Sequence, residues 1–149
     1  MATQDSILLS ALVEQTKKDI APDMELNEYF ELFTAEQILK DYDLSYDELL
    51  GGIVGNGGDG GIDSFYMFVN DSLLLPDYEL VDYTKNITIE IHIIQSKNTN
   101  SFSETALQKL NDSANDIFNF EKTIDELRSV YNSELIAQIE NFRDTYIRL

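Results

Sequence analysis

The sequence predicts one domain of mixed α/β (α+β) class, with helices at both ends and two or three strands between them. The chain has 149 residues, which suits a single domain that buries its own hydrophobic core. Apolar residues recur at helical spacing in the first fifty residues and again after residue 103. Two runs rich in β-branched and aromatic residues lie between these regions and indicate strands.

Two amphipathic helices are predicted at the start of the chain. Residues 5–19 carry apolar side chains at helical spacing and end on two lysines, cations that suit a helix C-terminus. These apolar side chains are Ile7, Leu8, Ala11 and Leu12. Pro22 then interrupts the helical pattern, and residues 24–33 place apolar and aromatic side chains along one side of a second helix.

Two short helices are predicted next. Thr34-Ala-Glu-Gln37 and Ser45-Tyr-Asp-Glu48 both match the capping box. In this motif a hydroxyl and an acid or amide side chain bind each other's exposed backbone N–H groups. The two boxes predict helices at about residues 35–41 and 46–50.

A glycine-rich loop follows, because all seven glycines lie between residues 51 and 61. So many glycines predict a backbone that adopts positive φ or lies close to another group, such as a phosphate or a metal-bound water. The loop contains a G-x-G-x-x-G pattern, which a dinucleotide site needs between a strand and a helix. Here the pattern follows a helix and precedes a strand, so a nucleotide-binding module is the least favoured function. The loop leads into Asp63 and a buried strand at residues 62–69.

A second strand is predicted at residues 87–97, which alternate strictly between isoleucine and other residues as far as residue 93. The isoleucines share one face of this strand, and Glu90 and His92 lie on the other, where we expect structural roles. Gln95 and Lys97 continue the isoleucine face at the point where the strand leaves the core.

Helices are predicted for the rest of the chain. Ser101-Phe-Ser-Glu104 is a capping box that begins a helix packed back on the sheet, and Thr123-Ile-Asp-Glu126 begins a last helix. We expect a core at about residues 24–120 and a C-terminal helix within residues 121–149. The apolar stripe of that helix reaches the end of the chain, which predicts either a fragment of a longer protein or a helix that pairs with another subunit.

Composition excludes several kinds of site. The chain has no cysteine and one histidine, which excludes disulfides, thiolate metal sites, cysteine nucleophiles and histidine-dependent triads. No segment approaches the roughly 20 apolar residues of a membrane span, so we expect a cytoplasmic protein without a membrane partner. The formal net charge of −18 indicates an acidic surface that repels nucleic acid at long range. DNA binding would therefore need a local basic groove, a partner or further domains.

The residue types at Asp63, Gln95 and Lys97 suit metal-dependent hydrolysis. Mg²⁺ prefers oxygen ligands, and Asp63 offers a carboxylate while Gln95 offers a neutral carbonyl oxygen. Lys97 lies next along the same strand face, where a cation can stabilise the hydroxide that attacks a phosphorus atom. In the alternative interpretation, Asp63 caps a turn, and Gln95 and Lys97 are the polar end of a strand.

These motifs together resemble a known family. The run Gly57-Gly-Asp-Gly-Gly-Ile-Asp63, an apolar strand, and then Ile93-Ile-Gln95-Ser-Lys97 and a helix resemble the PD-(D/E)XK nuclease superfamily in its Gln-x-Lys variant, as in Mrr-type restriction endonucleases. Phe30-Glu-Leu-Phe33, residues 43–49 and the Gly-Gly-Ile-Asp-Ser-Phe-Tyr run resemble more closely the N-terminal region of AIPR proteins, named for abortive phage infection. The resemblance covers about residues 24–120.

The resemblance implies a restriction-endonuclease-like αβββαβ core with extra helices at both ends, and cleavage of phosphodiester bonds with Mg²⁺ or Mn²⁺ as cofactor. It assigns Asp63 and Gln95 as metal ligands and Lys97 as the catalytic lysine. Such nucleases often carry a further acid on the first core helix, for which Glu31 is the first candidate and Glu28 the second. Asp59 is another possible metal ligand. The final core strand is not recognisable after residue 120, where the pattern is helical.

Two hypotheses of function follow. In the first, the chain is a Mg²⁺-dependent endonuclease domain that acts on DNA, or on RNA as the other substrate, within a phage-defence protein that has further domains or forms a homodimer. In the second, it is a catalytically inactive nuclease-like module for protein interaction or phage sensing. Gln95 stands where many relatives have glutamate, which removes one anionic ligand and keeps the second hypothesis open.

Overall fold

A computed structural model describes residues 4–54, 61–74, 87–96 and 104–148. The described elements run in the order helices, strands, helices, which confirms the α+β class. They are α1 Gln4–Ile20, α2 Leu26–Ile38, α3 Tyr46–Gly51, β1 Ser64–Val69, β2 Ser72–Leu73, β3 Ile89–Ile94, α4 Glu104–Phe118, α5 Ile124–Arg128 and α6 Ser133–Arg148, with a 3-10 turn at Lys40–Tyr42 between α2 and α3. None of the described helices is both long enough and apolar enough to cross a membrane.

The described strands form an antiparallel sheet in the order β2-β1-β3. A two-residue turn joins β1 to β2, and both of its residues, Asn70 and Asp71, have positive φ. Asparagine and aspartate tolerate that conformation better than other residues with a side chain. Asn70 also accepts a hydrogen bond at 2.9 Å from the backbone N–H of Thr88, which ties the turn to the start of β3. The register runs from Ser64 opposite Ile94 to Val69 opposite Ile89.

The sheet separates two hydrophobic cores, and all six residues of β1 are buried between them. Phe65, Met67 and Val69 enter the first core, which α4, α5 and α6 cover. Tyr66 and Phe68 enter the second core, which α1, α2 and α3 cover. The period-2 alternation of a strand therefore assigns each side chain of β1 to one core.

The first helix is confirmed, but the apolar face that identified it in the sequence is exposed. Ile7, Leu8 and Leu12 are 59%, 61% and 54% exposed. The helix packs on α2 through the opposite face, where Val13 is buried in the second core. Helical spacing thus predicted the helix, and it did not show which face of the helix is buried.

The prediction of a helix start at Thr34 is wrong. α2 continues through this position to Ile38, and the Thr34 hydroxyl donates to the backbone carbonyl of Phe30 at 2.8 Å. A threonine inside a helix commonly bonds back to the carbonyl four residues earlier, so a capping-box pattern can occur without a helix start. Ser45 does begin a helix, since its hydroxyl accepts from the Glu48 N–H and the Glu48 carboxylate accepts from the Ser45 N–H.

The C-terminal region contains two helices where the sequence predicted one. Thr123 caps α5 as expected, but the helix ends at Arg128 and Asn132 caps α6 by accepting from the Leu135 N–H at 2.8 Å. The apolar stripe of α6 is mostly buried in the first core, and Tyr146 and Ile147 in its last turn are exposed. Most of this stripe therefore packs inside the chain itself. The Ser101 capping box lies outside the described residues.

Candidate functional site

The antiparallel pairing of β1 and β3 brings Asp63 and Gln95 to one end of the sheet. Ser64 is paired with Ile94, so Asp63 precedes the ladder on one strand and Gln95 follows it on the other. The backbone N–H of Asp63 donates to the carbonyl of Ile94 at 2.9 Å, which joins the two chain segments just beyond the ladder. We call Asp63 and Gln95, with the backbone around them, the candidate site.

The Asp63 carboxylate is partly buried and oriented by hydrogen bonds. Its Oδ2 accepts from the backbone N–H of Ser96 at 2.7 Å and lies 3.4 Å from the Ser96 hydroxyl. Carboxylate bonds to N–H groups are among the stronger hydrogen bonds, so this contact fixes the chain where it leaves β3. Metal-ligating carboxylates are themselves hydrogen-bonded in this way, so the geometry suits both a structural role and a ligand role.

The Gln95 side chain contains an unsatisfied acceptor. Its carbonyl oxygen Oε1 is buried and has no hydrogen-bond partner among the described residues. A buried acceptor without a partner costs about 1–3 kcal/mol. A hard divalent cation bound at this oxygen would remove that cost, because amide carbonyls are suitable ligands for Mg²⁺. The chemistry of the two side chains therefore suits a hard metal ion, and their residues lie at the same end of the sheet.

Gly61 shows why a glycine precedes the candidate site. Its φ is +82°, and a Cβ atom there would lie 3.2 Å from Nε2 of Gln95 and 3.5 Å from Cγ of Lys109. A side chain at residue 61 would thus be strained by the backbone and would press on the Gln95 amide. At Gly52, a Cβ would overlap the ring of Tyr66 at 2.2 Å. At both positions the close neighbour is the protein's own side chain.

Lys109 is a residue near the site that the sequence did not indicate. It lies on the exposed side of α4, and its Cγ, like Nε2 of Gln95, lies close to the position that a Cβ on Gly61 would take. An exposed lysine on an amphipathic helix carries no signal of function in the sequence. The fold alone brings it beside the end of β3.

Of the other predicted site residues, two lie on a described helix and two lie outside the described residues. Glu28 and Glu31 lie on α2, a helix whose buried residues belong to the second core. Lys97 and Asp59 lie outside the described residues, so their geometry relative to Asp63 and Gln95 stays a prediction.

Glu90 and His92 make contacts within the fold, in keeping with the structural roles that the sequence predicted. They lie on the face of β3 opposite to the isoleucines, where the Tyr42 hydroxyl donates to Oε2 of Glu90 at 2.6 Å. This hydrogen bond raises the pKa of Tyr42 to about 12. The rings of Tyr42 and Phe68 stack, and the His92 ring meets both edge-on. These contacts of Tyr42 thus attach the 3-10 turn to the sheet.

Clusters of three or more His, Cys, Asp or Glu side chains with metal-binding geometry are absent from the described residues. The candidate site offers one carboxylate and one amide carbonyl from this part of the chain. The chain was compared with protein-family models, with curated proteins and with solved structures, and nothing matches.

Proposed function

We propose that the chain is a Mg²⁺-dependent nuclease domain that hydrolyses phosphodiester bonds of DNA in a phage-defence protein. The observation that carries this proposal is that Asp63 and Gln95 lie just beyond the paired Ser64 and Ile94 at one end of the sheet, where the Gln95 carbonyl oxygen is buried without a partner among the described residues. A carboxylate and a desolvated carbonyl oxygen in adjacent strands are a donor set for a hard cation. The assignment to phage defence depends on the resemblance to AIPR proteins.

The order of the described elements is in keeping with the proposed core. From α3 to α4 the described elements are a helix, three strands and a helix, which is the order of the first five elements of an αβββαβ core. A sixth element, a strand after α4, is not found among the described residues, where α5 and α6 follow instead. The proposed core therefore depends on the site and on these five elements.

The chain's own residues have distinct tasks in the proposed reaction. Asp63 and Gln95 would hold the cation, and Ser96 orients the Asp63 carboxylate through its backbone N–H. A bound Mg²⁺ supplies Lewis acidity to the phosphate and makes a bound water more acidic. Lys97, two residues beyond Gln95, would place a positive charge beside the attacked phosphate and stabilise charge that develops there.

The test is nicking of supercoiled plasmid DNA with Mg²⁺ or Mn²⁺. Asp63→Asn keeps an acceptor for the Ser96 N–H but removes the charge, and Lys97→Ala removes the proposed catalytic cation. We expect each variant to cleave about 100-fold more slowly or worse, because one transition-state interaction contributes about 10²–10³ in rate. Asp5→Ala, at an exposed acid in α1, is the matched control. Unchanged cleavage in both site variants would refute the assignment.

A second function is an inactive nuclease-like module that binds a protein partner. The exposed apolar face of α1, formed by Ile7, Leu8 and Leu12, favours it, since exposed contiguous apolar residues mark interaction surfaces. The hydrogen bond that Asp63 Oδ2 accepts from the Ser96 N–H is also consistent with a purely structural role for this carboxylate. Two results would favour this function over the nuclease. Titration with Mg²⁺ or Mn²⁺ in a calorimeter would give no heat of binding, and light scattering would show a stable dimer.

A further inference from the structure

The structure places a cation, Lys109, directly beside the candidate site. A Cβ atom on Gly61 would lie 3.5 Å from Cγ of Lys109 and 3.2 Å from Nε2 of Gln95, so these two side chains are close to each other. Three further bonds separate Cγ from the ammonium group, and the residue is exposed, so the ammonium can extend in front of Gln95. Lys109 thus belongs to the surroundings of the proposed metal ligand.

The Lys109 charge is not neutralised by an ion pair within the described residues, in contrast to the charges of Lys122 and Arg128. Lys122 is paired with Asp116 at 2.6 Å, and Arg128 is paired with Asp125 at 3.0 Å. Asp112, one helical turn after Lys109, accepts instead from the Gln108 amide at 3.0 Å. No acid in the part of the chain that the structure describes therefore occupies the Lys109 ammonium, which leaves it open to an anion on that side.

The acidic charge of the whole chain makes a positive charge near the candidate site important. At a formal net charge of −18, DNA is repelled at long range, and contacts with phosphates must come from local positive charge. A lysine is a usual phosphate-binding group, acting as a point charge. Because its Cγ lies near the Gln95 amide, Lys109 can reach toward a phosphate next to one bound at Asp63 and Gln95.

We propose that Lys109 binds a backbone phosphate of the DNA substrate next to the scissile bond. This inference rests on the proposed nuclease function, because that function puts DNA at the end of the sheet. Two carboxylates, Glu104 and Asp112, line the same groove on α4 as Lys109. They oppose the binding of a phosphate there, so neutralising Asp112 should strengthen the contact that Lys109 makes.

The experiment measures DNA binding apart from cleavage. A short fluorescein-labelled duplex is titrated in EDTA at several salt concentrations with wild type, Lys109→Ala, Asp112→Asn and Lys18→Ala. Lys18 is the matched control, since it is also an exposed lysine of a helix outside the described ion pairs. We expect Lys109→Ala to weaken binding about 3- to 10-fold and to reduce the slope of log affinity against log salt by about 0.9. Asp112→Asn should tighten binding, and Lys18→Ala should leave it unchanged.

The outcomes separate this inference from the proposed function. Equal affinity and slope for Lys109→Ala and Lys18→Ala, with a wild type that nicks plasmid, would overturn the role of Lys109 and leave the nuclease intact. A Lys109-specific loss of binding with a wild type that never cleaves would support the phosphate contact and overturn the nuclease. In an active enzyme, the same variant should raise KM and leave kcat unchanged.

Discussion

At the scale of single residues, the candidate site depends on two side chains, one backbone N–H and one glycine. Asp63, Gln95 and Ser96 meet because one strand begins where its neighbour ends, and Gly61 leaves room for the Gln95 amide. The sequence indicated Asp63 and Gln95 correctly as a pair at the strand ends. It did not indicate Ser96 as the partner of Asp63, because a backbone N–H contact has no signature in residue type.

Gly61→Ala is the sharpest single test of this arrangement. An alanine at φ +82° costs about 1–2 kcal/mol, and its Cβ would push against Nε2 of Gln95. We expect a loss of unfolding free energy of about that size in urea titrations, with weaker metal binding at Gln95. Gly51→Ala, at the exposed end of α3, should keep both properties. A Gly61→Ala protein as stable as wild type, with unchanged metal binding, would contradict the geometry.

At the scale of elements, the capping-box pattern predicted two of the described helix starts correctly and one wrongly. Ser45 and Thr123 begin helices because both halves of each capping box form. Thr34 has the same pattern but lies within α2, where Leu32, Phe33 and Ala35 are buried in the second core. Burial of these neighbours stabilises a continuous helix by more than the roughly 1 kcal/mol that a cap contributes.

The placement of α6 against α4 also depends on contacts that the sequence does not reveal. Arg143 of α6 is buried and donates to the backbone carbonyls of Asp116 and Asn119 at 3.0 Å each, and to that of Lys122. These carbonyls lie at and after the C-terminal end of α4, where helices leave acceptors unpaired. One arginine therefore joins α6 to α4, and no periodicity in the sequence predicts such a contact.

At the scale of the whole molecule, both cores contain tyrosines whose phenols are kept protonated. Burial raises the pKa of Tyr66 well above 10, and its hydroxyl donates to the Leu49 carbonyl at 2.5 Å. Burial, followed by the hydrogen bond to Asp116, raises the pKa of Tyr131 to about 12. Tyr66 lies in the second core and Tyr131 in the first, so deprotonation at alkaline pH would destabilise the core on each side of the sheet.

These pKa values predict a loss of stability at alkaline pH. A group with a raised folded pKa stabilises the fold below its unfolded pKa, here 10.0, and this stability is lost as pH rises toward the folded pKa. We expect the unfolding free energy to fall from about pH 10 to pH 12, by about 1.4 kcal/mol per pH unit for each deprotonation. Tyr66→Phe should reduce that slope in urea titrations, and Tyr146→Phe, at an exposed position, should not. A slope equal in Tyr66→Phe and wild type would be contrary to this expectation.

The central claim is that a divalent cation binds between Asp63 and Gln95, and calorimetric titration with Mn²⁺ tests it most directly. Gln95→Glu adds a carboxylate at the proposed ligand without changing the size of the side chain. Gln108→Glu adds the same charge at an exposed glutamine of α4 and controls for general attraction to an acidic protein. We expect one site in wild type, about tenfold tighter in Gln95→Glu, unchanged in Gln108→Glu and lost in Gln95→Leu. Equal affinities in all four proteins would contradict the claim.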